Sequence, residues 1–265
     1  MKVELNLSIQ EPERLYEGRF AIDKSILEHL FNTAAIDRRY NNFLKGKKVA
    51  VVGPAEYVAT SNQGELIESY DLVARINNGW FPPEELKAHT GTRTDIRYHS
   101  GAEFPNSGGM WEMDKMIKHG VKYVAINYPR YLDYFHHDIK KFETLNEDYG
   151  VPFHCWTDLE LYLTFHYYLG TRMNTGLAAI VDILLHDVKE VYVTGFTFYR
   201  TGFAKGLKPE KYYDDILSKE YDRVKETMIN HAQIPQMKLL KLLQQVDPRL
   251  KLDREVTQIL NTIEL

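Results

Sequence analysis

The chain has 265 residues, 44% hydrophobic and 26% charged, the mix of an ordinary globular protein and enough length for one large α/β domain. Its 33 basic and 37 acidic residues leave a formal net charge of -4, which argues against a general nucleic-acid binder. A single cysteine, Cys155, excludes an intrachain disulfide and a cysteine-based zinc cluster, and fits a reducing, cytoplasmic setting.

Residues 1–44 read as a leader packed on a single domain that spans 45–265. The opening stretch MKVELNLSIQEPERLYEGRF has no apolar core, so no signal peptide is expected. No run approaches the roughly 18 apolar residues of a membrane span, which leaves surface association as the route to a membrane. The spacing of Ile26, Leu27, Leu30, Phe31 and Ala34 predicts a helix from Lys24 to Tyr40. Lys47–Val52 is a short apolar run that predicts a buried first strand, and Asp71–Ile76, Thr94–Tyr98, Val121–Ile126 and Val191–Thr194 predict four more strands. Helices are predicted from Thr175 to His186, capped by Asn174 and rich in small residues, and from Pro235 to Gln245. The Leu and Phe spacing of 153–168 favours a core-facing helix over a sugar-stacking lid. The amphipathic stretch within 248–265 is a candidate for oligomer or membrane-surface contact.

Strands alternating with helices specify an α/β fold, a Rossmann-like, open, mostly parallel sheet flanked by helices. Such sheets bind ligands at the carboxyl ends of their strands. Those ends carry Gly53, Asn77, His99, Asn127 and Gly195, which mark either one crevice or simply the turn residues that follow any strand. There is no GxGxxG fingerprint, no P-loop and no HExxH. His136 and His137 sit in a polar stretch and read as solvated surface. No Asp-x-Asp occurs, although metal-dependent sugar transferases commonly present one. A transferase without a metal stabilises its leaving phosphate with hydroxyls, imidazoles and backbone N–H groups. Candidates lie in Gly195–Gly202, with Phe196 and Tyr199, and in Lys211-Tyr212-Tyr213, which read equally as a tyrosine-rich core edge. His231, before a helix, suits a general base or a structural role.

These segments together resemble the animal-type sialyltransferases, glycosyltransferase family 29, and more loosely the bacterial sialyltransferases of family 42. Residues 47–99 are similar to the long donor-binding motif, through Gly53, Gly64–Asp71, Arg75, Asn77 and Gly91-Thr92-Arg93-Thr94. Residues 172–196 resemble the short motif, through Asn174-Thr175-Gly176 and Gly195-Phe196. Lys211-Tyr212-Tyr213 and His231 with Gln236 resemble the two remaining short motifs.

The resemblance implies a GT-A-like sialyltransferase fold with a small lid, and an inverting transfer of sialic acid from CMP-sialic acid to a glycan or glycolipid hydroxyl, without metal or other cofactor. It implies that Asn77 meets the CMP ribose or phosphate and that the Gly53 turn admits the nucleotide. Asn174, Thr175 and Gly176 meet the sugar carboxylate, and Gly195 to Phe198 border the cytosine. Tyr199, Tyr212 and Tyr213 face the departing phosphate, and His231 is the general base. Departures from the pattern are Pro54 after the first glycine, Lys211 in place of a histidine, Gln236 in place of an acid, and the absence of the cysteines that join the long and short motifs. The missing cysteines suit a cytoplasmic bacterial-type or viral-type protein without a Golgi anchor, peripheral at the inner membrane if membrane-associated. CMP-Kdo or another CMP-linked keto-sugar acid is an alternative donor, as in polysaccharide synthesis. A donor hydrolase and a non-catalytic CMP-sugar-binding protein are alternative functions.

Overall fold

The structure, a computed structural model, describes residues 20–103, 108–129, 139–207 and 232–265. Seven strands form one sheet: β1 (Lys48–Val52), β2 (Leu72–Ile76), β3 (Ile96–His99), β4 (Tyr123–Pro129), β5 (Phe153–Trp156), β6 (Glu190–Thr194) and β7 (Leu250–Leu252). Their order is β5-β4-β3-β2-β1-β6-β7. Every pairing is parallel, with Val49 of β1 opposite Leu72 of β2 on one side and Val191 of β6 on the other. All five residues of β2 and all seven of β4 are buried, because helices cover both faces. That is why these strands are largely apolar instead of alternating, with Arg75 and Asn127 as buried polar exceptions.

The chain leaves β1 in one direction through β2 to β5, then returns to add β6 and β7 on the other side. The order therefore reverses between β1 and β6. At such a switch point the connections diverge and leave a crevice beyond the carboxyl ends. Helix α8 (Thr175–Leu184) runs over β3, β4 and β6 with all ten residues buried. Gly176, Ala178 and Ala179 let it lie close to the sheet, as their small size predicts.

Four expectations from the sequence are corrected. The helix predicted over Lys24–Tyr40 is two, α1 (Lys24–Thr33) and α2 (Arg38–Leu44), because Asp37 turns extended and caps α2 through the N–H groups of Arg39 and Tyr40. The stretch 153–168 begins as the edge strand β5, with alternating burial, before α7 (Leu159–Leu169) starts at the cap Asp158. The run Val191–Thr194 is thus the sixth strand. The C-terminal stretch supplies β7 and a terminal helix, α10 (Arg254–Asn261), whose apolar residues Val256, Ile259 and Leu260 are buried in the core. Its apolar residues pack within the chain.

Between α4 (Lys87–Thr90) and α5 (Met113–His119) runs β3, and α6 (Ile139–Asp148) leads into β5. The described part of the leader is continuous with the main core: Ile22, Leu27, Leu30, Tyr40 and Leu44 join the cluster that holds β1 to β4 and α8. Beneath it lies a polar network. The Tyr40 hydroxyl meets that of Tyr98, which donates to Asp182, and His154 lies between Asp182 and Asp37. Burial disfavours the charged imidazole, but Asp182 and Asp37 outweigh it and raise His154 to about 9. Among the described residues no helix is long and apolar enough to cross a membrane.

Candidate active site

The crevice is built from glycine contacts first. Gly53 ends β1 and Gly195 ends β6, and a Cβ on either would stand 2.3 Å from the other's carbonyl oxygen. No side chain fits, so glycine is required for the two strand ends to touch. Gly195 also has φ +82, in the left-handed region. A Cβ on Gly176 would meet the Phe196 ring at 2.1 Å, so the start of α8 seats directly on the residue after Gly195. These three glycines are explained by packing, and they bring the long- and short-motif segments together.

Asn77 follows β2 with φ +51, a conformation asparagine tolerates better than most residues. Its Oδ1 accepts from the Ser100 N–H at 2.9 Å and its Nδ2 donates to Thr175 Oγ1 at 3.4 Å. Asn77 thus joins the ends of β2 and β3 to the first residue of α8. Asn174 caps that helix by accepting from Leu177 N–H at 2.9 Å. The open turn of α8 presents backbone N–H groups and the positive end of its dipole beside Asn77, a setting that favours an anion.

Gln236 explains one departure from the family pattern. It lies fully buried in α9 (Gln233–Val246). Its Oε1 accepts from Asn174 N–H at 2.7 Å and its Nε2 donates to the Ala232 carbonyl at 2.9 Å. An amide serves both partners, whereas a carboxylate has no proton for the second. Ala232 itself donates to Thr171 Oγ1 at 2.9 Å. The residue after His231 is therefore tied to the segment that opens α8.

The segment after β6 folds back over the crevice. Ala204 N–H donates to the Pro54 carbonyl, Ala55 pairs with Phe203, and Phe198 and Tyr199 both take positive φ. Half-buried Tyr199 lies edge-on to Phe203, their centroids 5.9 Å apart. Pro54, which lacks an N–H, is used here as an acceptor. Below, the Tyr57 hydroxyl accepts from Gly195 N–H and donates to Asp253, which also accepts from Thr194. Burial and the Asp253 charge push the Tyr57 hydroxyl far up, so it stays a neutral donor.

Two further strand-end residues are buried. His99 is 0% exposed, its Nδ1 accepting from Gly101 N–H and its Nε2–H donating to the Gly109 carbonyl. It pins Gly101 and Gly109, because both ring nitrogens face backbone. Asn127 is buried, and its Oδ1 has no hydrogen-bond partner among the described residues. Within the long-motif segment, Glu68, Arg75 and Gly91–Thr94 form a scaffold. Arg75 donates to the carbonyls of Thr90 and Arg93, and Glu68 accepts from the N–H groups of Thr92 and Arg93. Lys211, Tyr212, Tyr213 and His231 lie outside the described residues, as do His136 and His137. The Tyr57–Asp253–Thr194 support and the Gln236 clamp were not legible in sequence, since their partners lie far apart along the chain and no spacing announces them.

A search of curated proteins gives no match. The solved structure of the sialyltransferase CST-II in complex with a trisaccharide acceptor and CMP aligns at TM-score 0.50 with 15% identity, over 78% of this chain and 80% of that one. CstII from Campylobacter jejuni with CMP-3FNeuAc aligns at 0.48 with 14% identity, over 78% of each chain. A mammalian sialyltransferase with a Gal-beta-1-3GalNAc derivative aligns at 0.48 with 16% identity, over 91% of this chain and 83% of that one. At these identities the CST-II likeness establishes the fold. The model of glycosyltransferase family 29 (sialyltransferase) matches residues 2–149, more than half of the chain and all of the long-motif segment. The chain therefore belongs to glycosyltransferase family 29, the sialyltransferases.

Proposed function

We propose that this glycosyltransferase moves sialic acid from CMP-sialic acid to a glycan hydroxyl in one inverting displacement that needs no metal ion. The observation that carries the reading is the junction of Asn77, Thr175 and the capped N-terminus of α8 at the switch point of the sheet. It offers an amide, a hydroxyl and backbone N–H groups to an anionic donor, and its tethers run to the residue after His231.

In the proposed reaction, His231 removes the acceptor hydroxyl proton as the oxygen bonds to the anomeric carbon. The bond from that carbon to the phosphate oxygen breaks, and CMP leaves. Tyr199, Tyr212 and Tyr213 donate hydrogen bonds to the departing phosphate, with Lys211 adding charge. The N-terminus of α8 orients the sugar carboxylate. The ordinary means of supplying positive charge, a DxD-bound metal, has no counterpart in this sequence.

The test is CMP release from CMP-sialic acid and CMP-Kdo, each with and without mixed glycan acceptors. Acceptor-dependent release from CMP-sialic acid, lost in His231→Ala and unchanged by added Mg2+ or Mn2+ after EDTA exchange, is the expected result. Release from CMP-Kdo alone reassigns the donor. Release without acceptor points to a hydrolase, and no CMP binding overturns the reading.

A further inference from the structure

Away from the crevice, three electron-pair donors converge in the core. Asp182 and His186 lie four residues apart at the far end of α8, and His154 comes from β5. One ligand atom from each lies within 4.8 Å of the others. All three residues are at most 2% exposed.

The outer partners of these groups fix which atoms face inward. His186 Nδ1 lies 2.7 Å from the Asp182 backbone carbonyl, an acceptor only, so Nδ1 carries the proton and Nε2 a lone pair. That Nε2 is buried and has no hydrogen-bond partner among the described residues. His154 Nδ1 lies 3.1 Å from Asp37 Oδ2, again an acceptor, so Nδ1 carries a proton, and Nε2, which faces Asp182, becomes a second lone-pair donor once its own proton is displaced. The Tyr98 hydroxyl donates to Asp182 Oδ2 at 2.6 Å, leaving Oδ1 as the third. Imidazoles whose outer N–H is held by a carboxylate or a carbonyl are the usual form of a metal-bound histidine.

A proton on His154 Nε2 faces the Asp182 carboxylate, and a cation would displace it. His154 Nε2 stands 3.2 and 3.1 Å from the two Asp182 oxygens. Ligand atoms about 2.1 Å from a tetrahedral ion lie roughly 3.4 Å from one another, so the His154–Asp182 spacing suits a shared cation, and the third ligand atom, within 4.8 Å of the others, would close in on binding. A cavity of ≈ 10 Å³ borders the cluster, lined in part by Asp37, Trp156, Thr157 and Asp158, with room for about one water and none for a substrate.

We propose that His154, Asp182 and His186 bind one zinc ion, with Asp37 and Tyr98 orienting the ligands and a water in the fourth position. Two imidazoles, a carboxylate and a water suit zinc in its tetrahedral form. The ion is structural: Asp182 lies about 10 Å along α8 from Thr175, at 1.5 Å per residue. It fastens the leader, through Asp37, to β5 and α8. This site is independent of the donor crevice, and it is read by metal content, not by transfer activity.

The full chain, exchanged against EDTA and shown folded by circular dichroism, is titrated with Zn2+ and with Co2+. One ion per chain is expected, with the strong visible absorption of four-coordinate Co2+. His186→Gln should weaken zinc affinity at least 10-fold, and Asp37→Asn roughly 10- to 100-fold. His136→Ala/His137→Ala should bind as wild type. Failure of the folded wild type to bind zinc at micromolar concentration overturns the proposal and leaves a proton between His154 and Asp182. Undiminished binding by His186→Gln, or loss in His136→Ala/His137→Ala, overturns it too. If His186→Gln does not fold, the wild-type Co2+ spectrum decides, since the weak absorption of a six-coordinate ion refutes the site.

Discussion

Replacing Asn77 separates its role in the fold from its proposed role toward the donor. Asn77→Asp keeps the acceptor for Ser100 N–H, made at 2.9 Å, and tolerates φ +51. It loses only the long 3.4 Å donation to Thr175, whose hydroxyl can turn and donate instead. The stability change should stay under about 1 kcal/mol. For CMP, the new carboxylate faces a phosphate. Two like charges about 4 Å apart repel by about 4 kcal/mol at an effective dielectric near 20, and screening at the crevice mouth reduces this to ~1.5–3 kcal/mol. CMP affinity should therefore fall roughly 10- to 100-fold. Asn77→Ala behaves differently: it strands the Ser100 N–H and puts alanine, which tolerates the left-handed region less well than asparagine, at φ +51, which together cost about 2–3 kcal/mol. Asn77→Gly should recover the backbone part of that loss. Urea unfolding and calorimetric CMP titration measure the two quantities. A folded Asn77→Asp protein that binds CMP as tightly as wild type would refute the placement of the donor phosphate beside Asn77.

Gly195→Ala should destabilise the fold by about 3–4 kcal/mol, from its left-handed φ and a Cβ pressed 2.3 Å from the Gly53 carbonyl oxygen; an unchanged urea midpoint contradicts the glycine contact. Gln236→Glu should cost about 2–3 kcal/mol at pH 7, because the buried carboxylate cannot donate to Ala232. That cost should shrink at pH 5, and equal stability at both pH values contradicts the clamp. Partial burial pushes the Glu68 carboxyl up, but the N–H groups of Arg93 and Thr92 and the Arg93 guanidinium outweigh it and hold it below its ordinary value of 4.5. Its stabilisation is therefore full above about pH 4.5 and is lost as pH falls through the lower folded value. Glu68→Gln should flatten that acid limb in thermal melts, and an acid limb identical to wild type would remove the assignment.

Much of the sheet was legible in the sequence for a simple reason. Strands buried on both faces are mostly apolar, so β1, β2, β4 and β6 stand out as short runs closed by Gly or Asn, and β3 ends at His99. The start of α8 was equally plain, since a capping Asn174 before Thr175-Gly176 is a local signal with a local cause. The edge strands were not legible. β5 alternates in burial and is followed two residues later by a helix, and β7 has three residues, too few for periodicity to show.

The motif order in the sequence pointed to the family and to the residues at the switch point, because glycine and asparagine are demanded there by backbone geometry wherever the chain is met. Only the tertiary structure decided what each residue does with its neighbours. It turned His99 inward against two backbone groups, gave Gly53 and Gly195 to each other, and made Gln236 a bridge between α8 and α9. It also gathered Asp37, His154 and the Asp182–His186 pair from three places in the chain into one cluster. The spacing of residues along a chain governs one helix or one strand, whereas burial and hydrogen-bond partnership are set by contacts between elements that no single segment encodes.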